Sequence, residues 1–247
     1  PSLKLIYVES PVNPTLTCID LEKVGRLARK YSLKFVVDNT FATPFLCRPF
    51  NYSADIIVHS TTKYLHGHGV STGGAIICWD QKLMHDKIWT NYKLVGTNAS
   101  PFEAWLIDIG LKTLPLRMEK HCFNAMQLAI WLEKHPKILK VNYPGLKSHV
   151  SYKIAKKQMN LFGAMLSIEI DGSLNKVKKI LNALTLCKMA PTLGETDTLI
   201  LHPSTMSHLK IPKDIREQQG IKDNLVRVSV GIESIEDIIM DWDRALK

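Results

Sequence analysis

A lysine and an aspartate follow two apolar segments that lie close together in the sequence. Asp38 comes at the end of one apolar segment, and Lys63 comes shortly after the next one. A carboxylate at the end of a buried strand costs free energy unless it meets a cation or several hydrogen-bond donors. A lysine near apolar strand ends can lose its proton and attack an aldehyde. Hydroxyl side chains that can cradle a phosphate stand directly before the lysine, at Ser60, Thr61 and Thr62.

This combination meets the requirements of pyridoxal phosphate. An aspartate keeps the pyridine nitrogen protonated, a lysine binds the aldehyde as a Schiff base, and hydroxyl groups hold the phosphate. Each residue alone has an ordinary interpretation, because a strand-end aspartate is often a helix cap or a loop ion pair and a lysine beside hydroxyls is often solvated. The order and spacing together favour the cofactor site.

Short apolar segments alternate with a helical pattern in the first part of the chain. Residues 20–31 have one apolar helical face, and Asp20 is the expected N-cap. The segments predicted as strands are 3–8, 34–37, 55–59 and 74–79. Strands separated by helices favour a largely parallel α/β sheet, whose sites lie at the carboxyl ends of the strands. Asp38 and Lys63 are expected at such an edge.

The rest of the chain predicts a linking helix and a second unit. Residues 101–135 are predicted to be helical, with an interruption near Pro115. The later strands are predicted at 139–143, 165–170, 198–201 and 225–230, and the later helices at 150–159, 174–184 and 235–246. We therefore expect two domains: residues 1–135 form a large α/β domain with the linking helix, and residues 136–247 form a smaller C-terminal α+β domain.

The composition argues against several other classes of function. The chain has 247 residues, of which 45% are apolar, and no apolar run approaches the roughly 18 residues that span a bilayer. We therefore expect no membrane partner. The five cysteines are scattered and form no CxxC pair, which indicates a reducing cytoplasm. His66 and His68 lack a third ligand in sequence, so no metal site is expected.

The net charge of +9 is largely local. Between Lys134 and Lys188 there are eleven lysines, against only Glu169 and Asp171. A basic surface can bind nucleic acid, but these lysines have helical spacings, few aromatic neighbours and no nucleic-acid motif. We interpret the segment as a solvated face and expect no nucleic-acid partner.

Six segments resemble motifs of the Cys/Met-metabolism pyridoxal-phosphate enzymes, in that family's order. They are residues 9–14 (ESPVNP), 37–44 (VDNTFATP), 60–69 (STTKYLHGHG), 100–106 (SPFEAWL), 202–208 (HPSTMSH) and 226–233 (VRVSVGIE). The family contains cystathionine γ-synthase, cystathionine γ-lyase, methionine γ-lyase and the O-acylhomoserine sulfhydrylases. The resemblance covers essentially the whole chain. It implies the fold-type-I PLP-dependent transferase-like architecture, in which a mostly parallel sheet is followed by a smaller C-terminal α+β domain.

The resemblance implies a set of cofactor-binding residues. Lys63 would form the Schiff base and later move protons between the α, β and γ positions of the substrate. Asp38 would pair with the pyridine nitrogen, and Asn13 would hydrogen-bond on the side of the cofactor's 3-oxygen. Ser60 and Thr62 would hold the phosphate.

The resemblance also implies a binding site for the substrate carboxylate. Arg227 would grip it with two parallel hydrogen bonds, which lysine does less well. Thr192 stands where the family usually has Ser in an S-L-G motif, and its hydroxyl or backbone N–H could support the same carboxylate. Ser207 matches a hydroxyl position near that arginine.

Two features depart from the family pattern. The sequence starts at Pro1, and it does not contain the family's upstream portion. That portion carries the glycine-containing phosphate loop, the tyrosine that stacks on the cofactor and a Tyr/Arg pair lent to the neighbouring subunit. We expect that this upstream portion of the family chain is missing from the present sequence. Pro191 and Thr192 stand where cystathionine-handling members commonly have Glu-Ser, which argues against cystathionine as the substrate.

We predict a methionine γ-lyase-like elimination that releases a 2-oxo acid, ammonia and a thiol. Removal of the α proton and then a β proton would precede loss of the γ substituent. The absent glutamate and the compact segment between Gly74 and Ser100 favour this reaction. A γ-replacement transferase, either cystathionine γ-synthase or an O-acetyl- or O-succinylhomoserine sulfhydrylase, stays open because residues 67–74 look more like a sulfhydrylase.

A remote alternative is a catalytically silent relative that binds a partner through its basic C-terminal domain. For the enzyme, the resemblance implies a homotetramer built from dimers that share active sites. A small amino acid is then the expected substrate.

Overall fold

The computed structural model describes residues 3–247, and the strands of this part of the chain form two sheets. The first has the order β1–β2–β3–β4. Its members are β1 (Leu5–Glu9), β2 (Lys34–Asp38), β3 (Ile56–Ser60) and β4 (Gly74–Cys78). The pairs β1–β2 and β2–β3 are parallel, whereas β4 runs antiparallel to β3. The sheet is therefore mostly parallel, as the sequence predicts.

The parallel strands bring two of the predicted site residues to one edge. Asp38 is the last residue of β2, and its Cα partner in β3 is Val58. Strand β3 ends two residues later, at Ser60. The residues that follow β3 therefore leave the sheet on the side where Asp38 lies, which is the carboxyl-end edge expected for a binding site.

The second sheet has the order β5–β6–β9–β8–β7. Its strands are β5 (Ile138–Asn142), β6 (Met165–Ile170), β7 (Lys188–Met189), β8 (Leu199–Leu201) and β9 (Leu225–Ser229). All pairs are antiparallel except β7–β8. Strand β7 was not predicted, because two exposed residues carry no alternation of apolar and polar side chains.

Helices connect the strands and cover the sheets. They are α1 (Leu21–Lys30), α2 (Thr43–Leu46), α3 (Gln81–Leu83), α4 (Thr90–Val95), α5 (Pro101–Lys112), α6 (Leu114–Glu133), α7 (Tyr152–Gln158), α8 (Leu174–Ala183), α9 (Lys213–Gln218) and α10 (Ile235–Leu246). π-Helical segments lie at Thr61–Leu65 and Met84–Trp89, and 3-10 turns at Pro49–Tyr52 and Pro203–Thr205.

The local helix signals in the sequence are confirmed at two places. Asp20 caps α1, because its carboxylate accepts a hydrogen bond from the Lys23 N–H at 3.0 Å. The predicted interruption near Pro115 is the break between α5 and α6 at Thr113. The helical region from Gln81 to Val95 was not predicted. None of its residues is buried, so it has no apolar stripe to reveal it.

Helix α6 packs against the second sheet and against the turn that follows β3. It contacts β5 and β6 as well as the turn Thr61–Leu65. A single cluster of buried apolar side chains includes Val37 of the first sheet, Leu128 of α6 and Val228 of the second sheet. The division into two domains at residue 135 therefore stays a prediction: the sheets are separate, but buried side chains from both belong to one cluster.

Membrane-spanning helices, metal-binding clusters and disulfides would each indicate another class of function. Within residues 3–247, no helix has both the length and the apolar character to cross a membrane. No three His, Cys, Asp or Glu side chains in that range are grouped so that they could hold a metal ion. The cysteines are all free thiols, and all are buried.

A buried carboxylate of α10 fixes the loop that precedes β7. Asp241 accepts hydrogen bonds from the backbone N–H groups of Thr185, Leu186 and Cys187, each at 3.0 Å. It also pairs with Arg244. Burial acts to raise the pKa of Asp241, but the hydrogen bonds from Cys187 and Thr185 outweigh it and hold the pKa below its ordinary value.

We expect Asp241→Ala to lower the free energy of unfolding by about 2–4 kcal/mol, because buried N–H groups would lose their acceptor. A carboxylate whose pKa is lowered by folding stabilises the protein above its unfolded pKa of about 4, and this contribution disappears as the pH falls through the folded pKa. The gap between wild type and variant in chemical denaturation should therefore shrink in acid. Asp243→Ala is the matched control, since Asp243 is partly exposed and pairs with Lys247. A gap of equal size at neutral and acid pH would contradict this account.

Candidate active site

Lys63 lies in a distorted turn directly after β3. Residues Thr61–Leu65 form a π-helical turn, and Lys63 has non-helical backbone angles within it (φ −88°, ψ −136°). Backbone hydrogen bonds close the turn, from Thr61 N to Gly73 O (3.0 Å) and from Gly67 N to Lys63 O (2.8 Å). The lysine is therefore at the sheet edge, on a backbone that a regular helix does not define.

The environment of the Lys63 amine favours its neutral form. The side chain is half-buried, and Nζ donates a hydrogen bond to Thr192 Oγ1 at 3.0 Å. Burial lowers the pKa of Lys63, the positive charge of Arg227 lowers it further, and Glu195 acts in the opposite direction. A lysine with a lowered pKa has more of the unprotonated amine that attacks an aldehyde.

Thr192 connects the lysine to a buried arginine. Its carbonyl accepts a hydrogen bond from Arg227 Nη2 at 2.7 Å, and Arg227 Nη1 lies 3.4 Å from Asn13 Oδ1. Arg227, in β9, is only 3% exposed, and burial lowers its pKa to about 10. Its Nε is buried and has no hydrogen-bond partner among the described residues. A buried guanidinium with an unused donor is suited to an incoming carboxylate.

Asp38 belongs to a second set of contacts at the same edge. Its Oδ1 accepts from the Thr40 N–H at 3.0 Å, and its Oδ2 accepts from the Tyr7 hydroxyl at 3.3 Å. Thr40 Oγ1 in turn accepts from the Ser60 N–H at 2.9 Å. The ends of β2 and β3 are thus joined through Thr40, which fixes Asp38 relative to the turn that carries Lys63.

A buried histidine stands beside this carboxylate. Burial lowers the pKa of His59 to about 4, although the negative charge of Asp38 opposes the shift. The His59 ring is therefore neutral near pH 7 and does not compete as a cation for Asp38. The carboxylate remains available for a protonated ring nitrogen.

The Thr62 hydroxyl donates only a long hydrogen bond. Its Oγ1 accepts from Gly73 N at 2.9 Å and donates to the Gly73 carbonyl at 3.4 Å, so its proton could turn to a closer acceptor. The neighbouring Thr61 Oγ1 is buried without a partner in the described part of the chain. Ser60 is half-buried at the end of β3. These hydroxyls surround the start of the turn, where a phosphate could accept their protons.

Ser207 is the predicted residue that the structure separates from the others. It is exposed, and its hydroxyl is hydrogen-bonded to the adjacent His208 ring at 2.8 Å. Burial lowers the pKa of His208, and the charges of Arg216 and Arg227 lower it further. The segment is thus within electrostatic range of Arg227, but among the described residues no hydrogen bond joins Ser207 to the arginine. Its role stays a prediction.

Two residues that hold Asp38 were not predicted from the sequence. Thr40 stands two residues after Asp38, and its N–H bond to the carboxylate is a turn that Asp commonly forms with the backbone; that spacing could have revealed it. Tyr7 lies 31 positions before Asp38. Its approach depends on the parallel register of β1 and β2, for which the sequence carries no local signal.

The residues brought together fit pyridoxal phosphate. Lys63 supplies an amine with a lowered pKa, Asp38 supplies a fixed strand-end carboxylate, and Thr62 supplies a hydroxyl donor. Arg227 is joined to Lys63 through Thr192, and its Nε has no hydrogen-bond partner among the described residues. An amine, a carboxylate, hydroxyls and a guanidinium are the groups that this cofactor and an amino-acid substrate require.

Comparisons with known proteins agree with this chemistry. The sequence profile of the family described as "Cys/Met metabolism PLP-dependent enzyme" matches residues 1–247. A cystathionine beta-lyase from Coxiella burnetii is 46% identical over 98% of this chain and 63% of its own length. An L-methionine gamma-lyase from Porphyromonas gingivalis is 45% identical over 100% of this chain and 62% of its own length.

Solved structures give the same result for the fold. A cystathionine gamma synthase from Xanthomonas oryzae pv. oryzae, in complex with aminoacrylate and cysteine, has a TM-score of 0.95 at 39% identity, over 98% of this chain and 62% of that one. The chain thus spans somewhat less than two thirds of the length of these relatives. At this similarity, the fold-type-I architecture predicted from the sequence is confirmed.

Proposed function

This chain belongs to the family of Cys/Met metabolism PLP-dependent enzymes, and on that premise we propose that the whole protein eliminates the γ substituent of a sulfur amino acid. The observation that carries the proposal is the contact between Lys63 Nζ and Thr192 Oγ1, with the Thr192 carbonyl bonded to Arg227. It ties a nucleophilic amine and a carboxylate-binding group to one residue.

Five residues would hold the cofactor. Lys63 would bind it covalently, Asp38 would accept a hydrogen bond from the protonated pyridine nitrogen, and Asn13 would contact the 3-oxygen side. Ser60 and Thr62 would donate to the phosphate. When bound, pyridoxal phosphate supplies an electron sink for the carbanion at the substrate Cα.

The substrate would be oriented by the carboxylate site and converted by the lysine. Arg227 would bind the α-carboxylate through Nε, which has no partner among the described residues, and through a second guanidinium N–H, while Nη2 also donates to the Thr192 carbonyl. Because Thr192 also contacts Lys63, the distance between the bound carboxylate and the amine is fixed. Lys63 would remove the proton from Cα and transfer protons at the β and γ positions. Ser207 would assist at the carboxylate from its loop.

γ-Replacement is the second candidate, because elimination and replacement of the γ substituent would use the same residues of the Lys63 turn and of the arginine site. The same deprotonations precede release of the γ group in a lyase and addition of a thiol in a transferase. Relatives named as lyases and as a synthase occur at comparable similarity. The absence of a glutamate at Pro191 supports the elimination of methionine.

We also propose a homotetramer built from dimers that acts in the cytoplasm on a free amino acid. The motifs of the family support this proposal. The free, buried thiols are in keeping with a reducing compartment.

We expect full-length, cofactor-loaded protein to release 2-oxobutyrate and methanethiol from L-methionine. Parallel assays with cystathionine and with an O-acylhomoserine plus a thiol separate the alternatives. Formation of a thioether from the acylhomoserine without oxo acid from methionine would establish the transferase, and pyruvate from cystathionine would establish β-elimination. Bound cofactor with no turnover of any of the three would overturn the proposal.

A further inference from the structure

A second buried arginine lies behind the turn that carries Lys63. Arg117, in the first turn of α6, is 5% exposed. Its Nη1 donates to Tyr64 O at 2.8 Å, and its Nη2 donates to Gly110 O at 2.7 Å and lies 3.5 Å from Leu65 O. Its Nε donates to Thr113 Oγ1 at 3.0 Å. One side chain therefore joins the two residues after Lys63 to the junction of α5 and α6.

The acceptors of Arg117 are all neutral. They are three backbone carbonyls and one hydroxyl, and burial lowers the pKa of Arg117 below its ordinary value. Burial of a cation costs desolvation free energy, and neutral dipoles alone offset this cost poorly. What it does provide is a rigid planar fork that fixes several carbonyls at once.

Two glycines allow this close approach. At Gly67, which has a φ of +77°, an added Cβ would lie 2.0 Å from Arg117 Nη1. At Gly110 in α5, an added Cβ would lie 2.3 Å from the carbonyl oxygen of His66. Gly67 also closes the turn by donating to the Lys63 carbonyl at 2.8 Å. The turn, the arginine and α5 are therefore packed without room for further side-chain atoms.

We propose that Arg117 is a positioning residue for Lys63. The non-helical angles of Lys63 mean that its direction depends on how the adjacent carbonyls are held. Arg117 fixes the carbonyls of Tyr64 and Leu65, and thereby directs Nζ toward Thr192. This inference rests on the proposed function of Lys63.

Arg117 acts through the backbone and not through its charge. The charges that change the pKa of Lys63 are those of Arg227 and Glu195. Arg117→Lys keeps a positive charge but loses the fork, because one ammonium cannot reach Thr113, Gly110 and Tyr64 with the same geometry. This substitution therefore separates positioning from electrostatics.

The test compares full-length wild type with Arg117→Lys. We expect kcat to fall about 10- to 100-fold, since small displacements of a reacting group have effects of this size, with KM changed much less because Arg227 is intact. Apo protein should also attach pyridoxal phosphate more slowly, as measured by the rise of the bound-cofactor absorbance. Borohydride reduction and peptide mass analysis should find less adduct on Lys63 at equal time.

Two further variants keep the test decisive. Thr113→Val removes the acceptor of Arg117 Nε together with the hydroxyl bond to Gly110 O, and leaves the bonds from Arg117 to Tyr64 O and Gly110 O. It should slow cofactor attachment by a smaller factor, even where Arg117→Lys folds poorly. Arg244→Lys, at the Asp241 site of α10, should lower stability with kcat and attachment rate unchanged. Wild-type kcat and attachment rate in both Arg117→Lys and Thr113→Val would overturn the inference, as would losses no larger than those of Arg244→Lys. If wild type itself forms no borohydride-reducible adduct, the proposed function fails first, and this inference fails with it.

Discussion

Lys63→Ala is expected to reduce turnover about a thousandfold or more. The residue would serve both as the covalent attachment point and as the group that moves protons, and either loss alone is severe. The assay is 2-oxo acid release by full-length, cofactor-loaded protein. In the variant, added pyridoxal phosphate should bind only noncovalently.

The matched control is Lys147→Ala, which removes an exposed lysine. It should retain the wild-type rate. Lys63→Ala should remain folded, because its amine is only half-buried and makes one side-chain hydrogen bond in the described chain, to Thr192. A near-normal rate in Lys63→Ala would contradict the assignment of this lysine.

Arg227→Met is expected to raise KM for the amino acid about 100-fold or more, with a smaller effect on kcat. Two hydrogen bonds between a guanidinium and a carboxylate contribute roughly 3–5 kcal/mol when both groups are buried, and each 1.36 kcal/mol corresponds to a factor of ten. Steady-state kinetics with the substrate varied over a wide range separates the two constants. The matched control is Arg48→Met, at an exposed position.

The same variant has a predicted pH signature. The positive charge of Arg227 lowers the pKa of Lys63, so its removal should raise that pKa. At a given pH less of the amine would be neutral, and the pH profile of cofactor attachment should move to higher pH. At high pH the amount of bound cofactor should equal that of wild type. Loss of cofactor binding at every pH would mean that Arg227 belongs to the cofactor site and not to the carboxylate site.

The sheet edge that carries Asp38 and Lys63 could be predicted from the sequence. Each residue follows a short run of β-branched and apolar side chains, and parallel strands end at the same edge. Thus a local pattern was enough to place both residues at the same edge of the sheet. Helix signals were equally local, as the Asp20 cap and the break before Pro115 illustrate.

The contacts that complete the site could not be predicted from local patterns. Arg227 and Asn13 are 214 positions apart, and Lys63 and Thr192 are 129 positions apart. These pairs meet because buried side chains of both sheets and of α6 belong to one cluster, which is a property of the whole core. Arg117 was missed for the same reason: its position in α6 shows a helix start, and only packing reveals which carbonyls it holds.

Reductive trapping of the cofactor tests the central claim most directly. Full-length protein incubated with pyridoxal phosphate is reduced with borohydride, digested and analysed by mass spectrometry. The account predicts one modified peptide, with the reduced pyridoxyl phosphate group on Lys63. Modification of a different lysine, or a protein that remains unmodified, would contradict it.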